Sequence, residues 1–136
     1  MKSHTEHLWF ETEEKIEFVR ITDKVQEVLE ESGIKEGLVL VNPMHITSAV
    51  IVNDNEGGLI QDYIENLQRL VPYDAEYRHN VGEGNAAAHI WRQLMAHQVV
   101  LPVTEGKLDF GPWEQVFYCE FDGKRRKRVL VKVIGE

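Results

Sequence analysis

The chain predicts a single α+β domain, a largely antiparallel sheet or sandwich with about three helices. Three observations carry this. Alternating polar and apolar residues, the period of a half-buried strand, recur towards both ends of the sequence. Stretches with helical spacing of apolar residues lie between them. The order of strands, helix, strands, helix, helix, strands is not the regular alternation that builds a parallel sheet. With 136 residues, 43% of them hydrophobic, one ordinary core can form. There is no repeat, low-complexity tract or Pro/Ser-rich linker, so residues 1–136 are expected to form one domain.

The elements follow in order. Residues 5–10 and 15–21 alternate, as in Lys15-Ile16-Glu17-Phe18-Val19-Arg20-Ile21, and read as two strands around a turn at Thr12-Glu13-Glu14. Thr22 is suited to cap a helix over 23–32, whose stripe is Val25, Val28 and Leu29 and whose stop is Gly33. Leu38–Val41 reads as a buried strand and Ile46–Val52 as another, with Pro43 at the join. Gly57-Gly58 breaks the chain before a helix striped by Leu59, Tyr63, Leu67 and Leu70. Asn85 is suited to cap a third helix over about 86–97, with Ile90, Trp91 and Leu94 as apolar groups. Strands are expected over Val99–Val103, Lys107–Phe110, Trp113–Phe121 and Val129–Ile134, with Asp122-Gly123 as a tight-hairpin signal. On the third of these, Trp113, Phe117, Cys119 and Phe121 read as the core face. Glu114, Tyr118, Glu120 and Asp122 read as the solvent or interface face.

Composition excludes several classes of function. The net charge of −8 argues against generic nucleic-acid binding, because a negative chain repels polyphosphate. No apolar run reaches the length of a membrane span. The N-terminus lacks the apolar core of a signal peptide, and the single Cys119 forms no internal disulfide, so a cytoplasmic setting is expected. Lys124-Arg125-Arg126-Lys127-Arg128 is a basic run that reads either as a phosphate holder or as a solvated hairpin shoulder.

Three histidines stand among other polar ligand types. His45 follows a strand and a proline, with the hydroxyls of Thr47 and Ser48 beside it. His79 precedes the loop Gly82-Glu83-Gly84-Asn85, which enters a helix N-terminus suited to anions. His89 falls about one turn inside that helix. Neutral imidazole is the commonest protein metal ligand, so convergence of the three would make a metal or anion site. Their spacing matches no recognised zinc signature, and each alone also reads as structural. Glu83 is placed as a base, a ligand or a partner orienting an imidazole. Asn53-Asp54-Asn55-Glu56 ahead of two glycines suits a hard cation or an ordinary turn. His97 reads as a protonated complement to a helix end, and His4 and His7 as terminal and solvated.

At these residues the chain resembles the YjbQ-like family, known as secondary thiamine-phosphate synthases. The likeness spans nearly the whole chain. It rests on the His45–Ser48 segment with Asn53-Asp54-Asn55, on Tyr77-Arg78-His79, on Asn85-Ala86-Ala87-Ala88-His89, on Gly106–Trp113 and on Glu120–Arg126. Two positions depart from it. Ile46 is inserted where many members read His-Thr-Ser, and Ala87 stands where many carry an acid. The resemblance implies a small α+β domain, a homotrimer, and the three histidines in one pocket for a metal or an anion. The activity it implies is weak thiamine-phosphate synthesis, joining a pyrimidine diphosphate to a thiazole phosphate with loss of diphosphate.

The leading expectation is an enzyme with a divalent metal on His45, His79 and His89, with Glu83 and His89 as catalytic groups. Thr47, Ser48, Asn55, Asn85 and Arg125 would bind a small phosphorylated metabolite. Three imidazoles favour a zinc-like ion over magnesium, in tension with diphosphate departure, which magnesium on carboxylates usually serves. The alternatives are a zinc-type hydrolase of a small phosphorylated or amide substrate, and a non-enzymatic trimeric anion-binding protein. Neither nucleic acid nor membrane is an expected partner.

Overall fold

The computed structural model describes residues 1–82 and 84–136. Its elements are β1 (Lys2–Glu11), β2 (Glu17–Arg20), α1 (Thr22–Ser32), β3 (Gly37–Pro43), β4 (Ser48–Asn53), α2 (Gly57–Leu70), α3 (Ala86–Met95), β5 (Val99–Thr104), β6 (Lys107–Leu108), β7 (Gln115–Glu120) and β8 (Arg126–Gly135). They form two antiparallel sheets. One has five strands in the order β1-β8-β3-β5-β6, and the other has three in the order β2-β7-β4. The expected class and its three helices are present.

The small sheet is covered on both faces, and this arrangement positions the site. One face, with Val50, Val116 and Tyr118, packs with α1 against Val39, Val41, Val129, Val131 and Val133 of the large sheet. The other face, with Ala49, Ile51, Phe117, Cys119 and Phe121, packs under Leu67 of α2 and Ala87, Ala88 and Trp91 of α3. The Trp91 indole N–H donates to the Val71 carbonyl at 2.8 Å, so this large ring is buried with its polar atom satisfied.

Several local expectations are corrected. Asp122-Gly123 is not a hairpin between β7 and β8. Those strands belong to different sheets, and the turn carries the chain from one to the other. A Cβ on Gly123 would stand 2.2 Å from the Glu14 carbonyl oxygen, and its N–H donates to Lys15 O at 2.8 Å. This glycine is therefore required by close backbone approach rather than by a two-residue turn. Thr22 lies inside α1 rather than capping it, and its hydroxyl accepts the Val116 N–H at 2.9 Å, fastening the helix to β7. Asn85 precedes α3, but its side chain makes no capping bond. The cap comes from Asn80, whose Oδ1 accepts the Ala86 N–H at 2.9 Å.

Gly57 and Gly58 lie in the first turn of α2 rather than ahead of it. Glu56 caps that helix with both carboxylate oxygens, at 2.8 and 2.7 Å from the Gly58 and Leu59 nitrogens. Trp113 is 75% exposed and lies outside β7. Tyr118 and Glu120 are not solvent-facing. Both are fully buried, because the face assigned to solvent looks into the space between the sheets. His4 is half-buried in β1, where its ring contacts Glu6.

Candidate functional site

Two clefts flank the N-terminus of α3. The first, about 460 Å³, is lined by Tyr77, Arg78, His79, Ala86, His89 and Ile90. Its histidine rings meet edge to face, with centroids 4.6 Å apart and planes at 73°. His79 comes from the loop after α2, which the Tyr77 hydroxyl braces by donating to Pro72 O at 2.6 Å. His89 comes from the first turns of α3. The second cleft, about 260 Å³, is lined by Lys15, Gly84, Asn85, Asp122 and Arg125. Asp122 accepts from Asn85 Nδ2 at 3.1 Å and also pairs with Arg125. The Lys15 ammonium sits 4.6 Å from the Tyr73 ring centroid, a cation–π contact. Burial, and next the Asp122 carboxylate, push the Tyr73 phenol up to about 12, so it stays a neutral donor to Phe121 O at 2.8 Å.

A polar network linked to this turn runs into the core. Glu120 and Lys127 form an ion pair whose side chains are 0% and 1% exposed. Tyr118 Oη donates to Glu120 Oε1 at 2.7 Å, and the Asp122 N–H reaches Oε2 at 3.2 Å. Lys127 Nζ donates to Glu120, to the Asp122 carbonyl at 2.8 Å and to Thr47 Oγ1 at 3.0 Å. Thr47 Oγ1 lies 2.7 Å from His45 Nδ1, and the Thr47 N–H donates to the same nitrogen at 3.3 Å. Burial lowers the pKa of Lys127, with the Glu120 carboxylate opposing the shift. Burial also lowers His45, and the Lys127 charge adds to it. The carbonyl of His45 accepts from Arg92 at 3.4 Å and that of Ser48 accepts from Arg92 Nε at 2.9 Å, which ties this segment to α3.

The expected site residues therefore separate. His79 and His89 meet. Asn85 and Arg125 line one cleft together, and Thr47 is fully buried beside His45. Ser48 is buried at the start of β4, whereas Asn55 is exposed beyond its far end, about 17 Å away at the rise of a strand. Glu83 lies outside the described residues. Among those described, one group of three His, Cys, Asp or Glu side chains has ligand atoms all within 4.8 Å of one another, namely His4, Glu6 and Glu31. His45, His79 and His89 are not such a group within this chain. Partial burial, and next the Arg92 charge, lower the pKa of His97, and Arg92 bonds its Nδ1, which opposes the protonated helix complement expected.

A family model for the UPF0047 protein YjbQ-like family matches residues 6–136. The chain belongs to that family. A UPF0047 protein of Archaeoglobus fulgidus is 40% identical over 127 residues, covering 93% of this chain and 98% of the relative. One from Methanothermobacter thermautotrophicus is 38% identical over 136 residues, 100% of this chain and 95% of the relative. Among solved structures, a YbjQ-like protein of unknown function from Sulfolobus solfataricus superposes with a TM-score of 0.95 at 34% identity, over 99% of both chains. A hypothetical protein of Aeropyrum pernix gives 0.93 at 32%, over 98% of this chain and 99% of that one.

In this member of the family, the two departures have plain settings. Ile46 is 63% exposed in the loop between β3 and β4, where an insertion disturbs no packing. Ala87 is fully buried against the small sheet, where an acid would need a partner.

Sequence reasoning missed Glu120 and Lys127. Both had a legible signal. Lys127 is in phase with Val129, Val131 and Val133, the core face of β8. β7 is apolar on both faces, so its glutamate has no solvent side.

Proposed function

We propose that this chain binds a small phosphorylated metabolite across the N-terminus of α3. The carrying observation is the pairing of two clefts there, one with Lys15 and Arg125, the other with Arg78 and the His79–His89 pair. A ten-residue helix directs the positive end of its dipole at this spot, which favours an anion. Three cations, Lys15, Arg78 and Arg125, line the two clefts on a chain of net charge −8. Asp122, itself bonded by the Asn85 amide, holds the guanidinium of Arg125 in place.

The donor set does not suit a metal on all three histidines of one chain. Their ligand atoms lie too far apart, and the Nδ1 of His45 already accepts two hydrogen bonds. This reading therefore derives no step through a metal. Thiamine-phosphate synthesis, which the family likeness implies, stays compatible. It joins two phosphorylated reactants, and the two clefts offer one cationic and one imidazole-lined compartment. The exposed apolar side chains Leu38 and Val100 on the outer face of the large sheet fit association with further copies of the chain, and the homotrimer that the family likeness implies would use such a face.

Titration with inorganic phosphate and diphosphate, followed by calorimetry, tests the reading. A charge-assisted contact contributes about 1.5–3 kcal/mol, so Lys15→Gln or Arg125→Gln is expected to weaken binding by about tenfold or more. Unchanged affinity in both variants would sink it. If the synthase reaction occurs here, His89→Ala removes it.

A further inference from the structure

The network behind His45 determines which of its ring nitrogens carries a proton. Lys127 has three N–H donors, and each has an acceptor: Glu120 Oε2, the Asp122 carbonyl and Thr47 Oγ1. Because Thr47 Oγ1 accepts from the ammonium, its own proton is available for His45 Nδ1, 2.7 Å away. The backbone N–H of Thr47 points at the same nitrogen, and an amide N–H can only donate. Two donors therefore converge on Nδ1, which must present its lone pair. A neutral imidazole with Nδ1 as acceptor carries its proton on Nε2.

The Nδ1 edge of the ring faces fully buried Thr47, while His45 as a whole is only half-buried, so the Nε2 edge is the outward one. His45 is joined to Asp122, which lines the cationic cleft, through Thr47 Oγ1 and Lys127 Nζ, by successive contacts of 2.7, 3.0 and 2.8 Å.

We propose that His45 is a fixed Nε2–H donor to an oxygen of the bound anion, with Thr47 and Lys127 as the positioning residues that select this tautomer. The proposal deepens the phosphorylated-metabolite reading by giving its ligand a neutral donor beside the cations. It also makes a claim independent of any ligand. Metal ligation through Nε2 needs that nitrogen's lone pair and so a proton on Nδ1, which the two Thr47 donors oppose. His45 is thus assigned to oxygen recognition.

Nitrogen-15 NMR of histidine-labelled protein tests the tautomer without ligand. The expected result is a protonated Nε2 and an unprotonated Nδ1 for His45. Thr47→Ser keeps the hydroxyl and is expected to keep the tautomer. Thr47→Val removes it and is expected to shift His45 towards a mixture of both forms. A predominantly Nδ1–H His45 in the unaltered protein would overturn the proposal, as would conversion to that form on adding zinc. The second arm uses inorganic phosphate. His45→Gln, which keeps a donor, is expected to hold affinity within about threefold, while His45→Leu loses about tenfold, one charge-assisted hydrogen bond. Equal loss in both variants would overturn the role in binding. If the tautomer is as expected but the unaltered protein binds no phosphate, it is the function reading that fails.

Discussion

His45 and the His79–His89 pair stand in different parts of the chain, and different physics holds them. His45 is fixed from behind, through Thr47, by an ion pair with almost no exposure, and from the side by Arg92. His79 and His89 hold each other by an edge-to-face ring contact on the rim, one ring on a loop and the other on a helix. The first arrangement cannot move without disturbing the core between the sheets. The second can adjust by rotation of side chains. The His45 side is thus a rigid wall and the His79–His89 side an adaptable one.

The largest expected effect comes from breaking the rigid wall. Lys127→Met leaves the Glu120 carboxylate buried without its cation, at a cost of about 3–5 kcal/mol. That is roughly 10 °C or more in Tm for a domain of this size. Adding Glu120→Leu is expected to recover most of the loss, because charge burial rather than shape is the cause. His79→Ala on the adaptable wall is expected to cost less than about 1 kcal/mol. Thermal unfolding of the four proteins checks the contrast, and equal destabilisation by Lys127→Met and His79→Ala would erase it.

The same contrast explains what was legible in the sequence. The strands, the helices and the three histidine segments announce themselves through local spacing. What joins them does not. Asp122-Gly123 signals a turn, but nothing local says that the next strand leaves for another sheet. Asn80 caps α3 from six positions away, so a search for the residue just before the helix finds Asn85, whose amide instead serves Asp122. Glu120 is misassigned because alternation on β7 reads as one buried and one wet face, and Lys127 because it stands in a run of five basic residues that reads as solvated or phosphate-facing. A third layer of helices buries the face that a two-layer reading would leave to solvent, and the other face looks into the inter-sheet core.

An intermediate effect concerns pH. Arg92 links α3 to the carbonyls of His45 and Ser48, and it also bonds His97. Burial, then the Arg92 charge, lowers the pKa of His97 in the fold. Below about pH 6.5 the unfolded chain therefore binds more protons at this position than the folded one. Its contribution to stability is complete above that pH and is lost as the pH falls. Denaturant unfolding between pH 7.5 and 5.5 is expected to show a decline that His97→Gln makes shallower, by at most about 1.4 kcal/mol per pH unit. A slope unchanged by the substitution would mean that His97 does not load the Arg92 clamp.

The smallest expected effect tests where the site ends. Asn55 belongs to a segment with the oxygen ligands of a hard-cation site. Its neighbours are already committed to other work: Glu56 caps α2, and Asn53 Oδ1 accepts the Asp54 N–H at 2.8 Å while its amide meets Tyr63. Asn55 itself is exposed, a strand's length from the buried hydroxyls at the other end of β4. Asn55→Ala is therefore expected to change phosphate affinity by less than about twofold and stability by less than about 0.5 kcal/mol. A tenfold loss of affinity would require the ligand to extend along β4, or a second copy of the chain to bring Asn55 to the cleft. Either outcome would make the site larger than the two clefts at the start of α3.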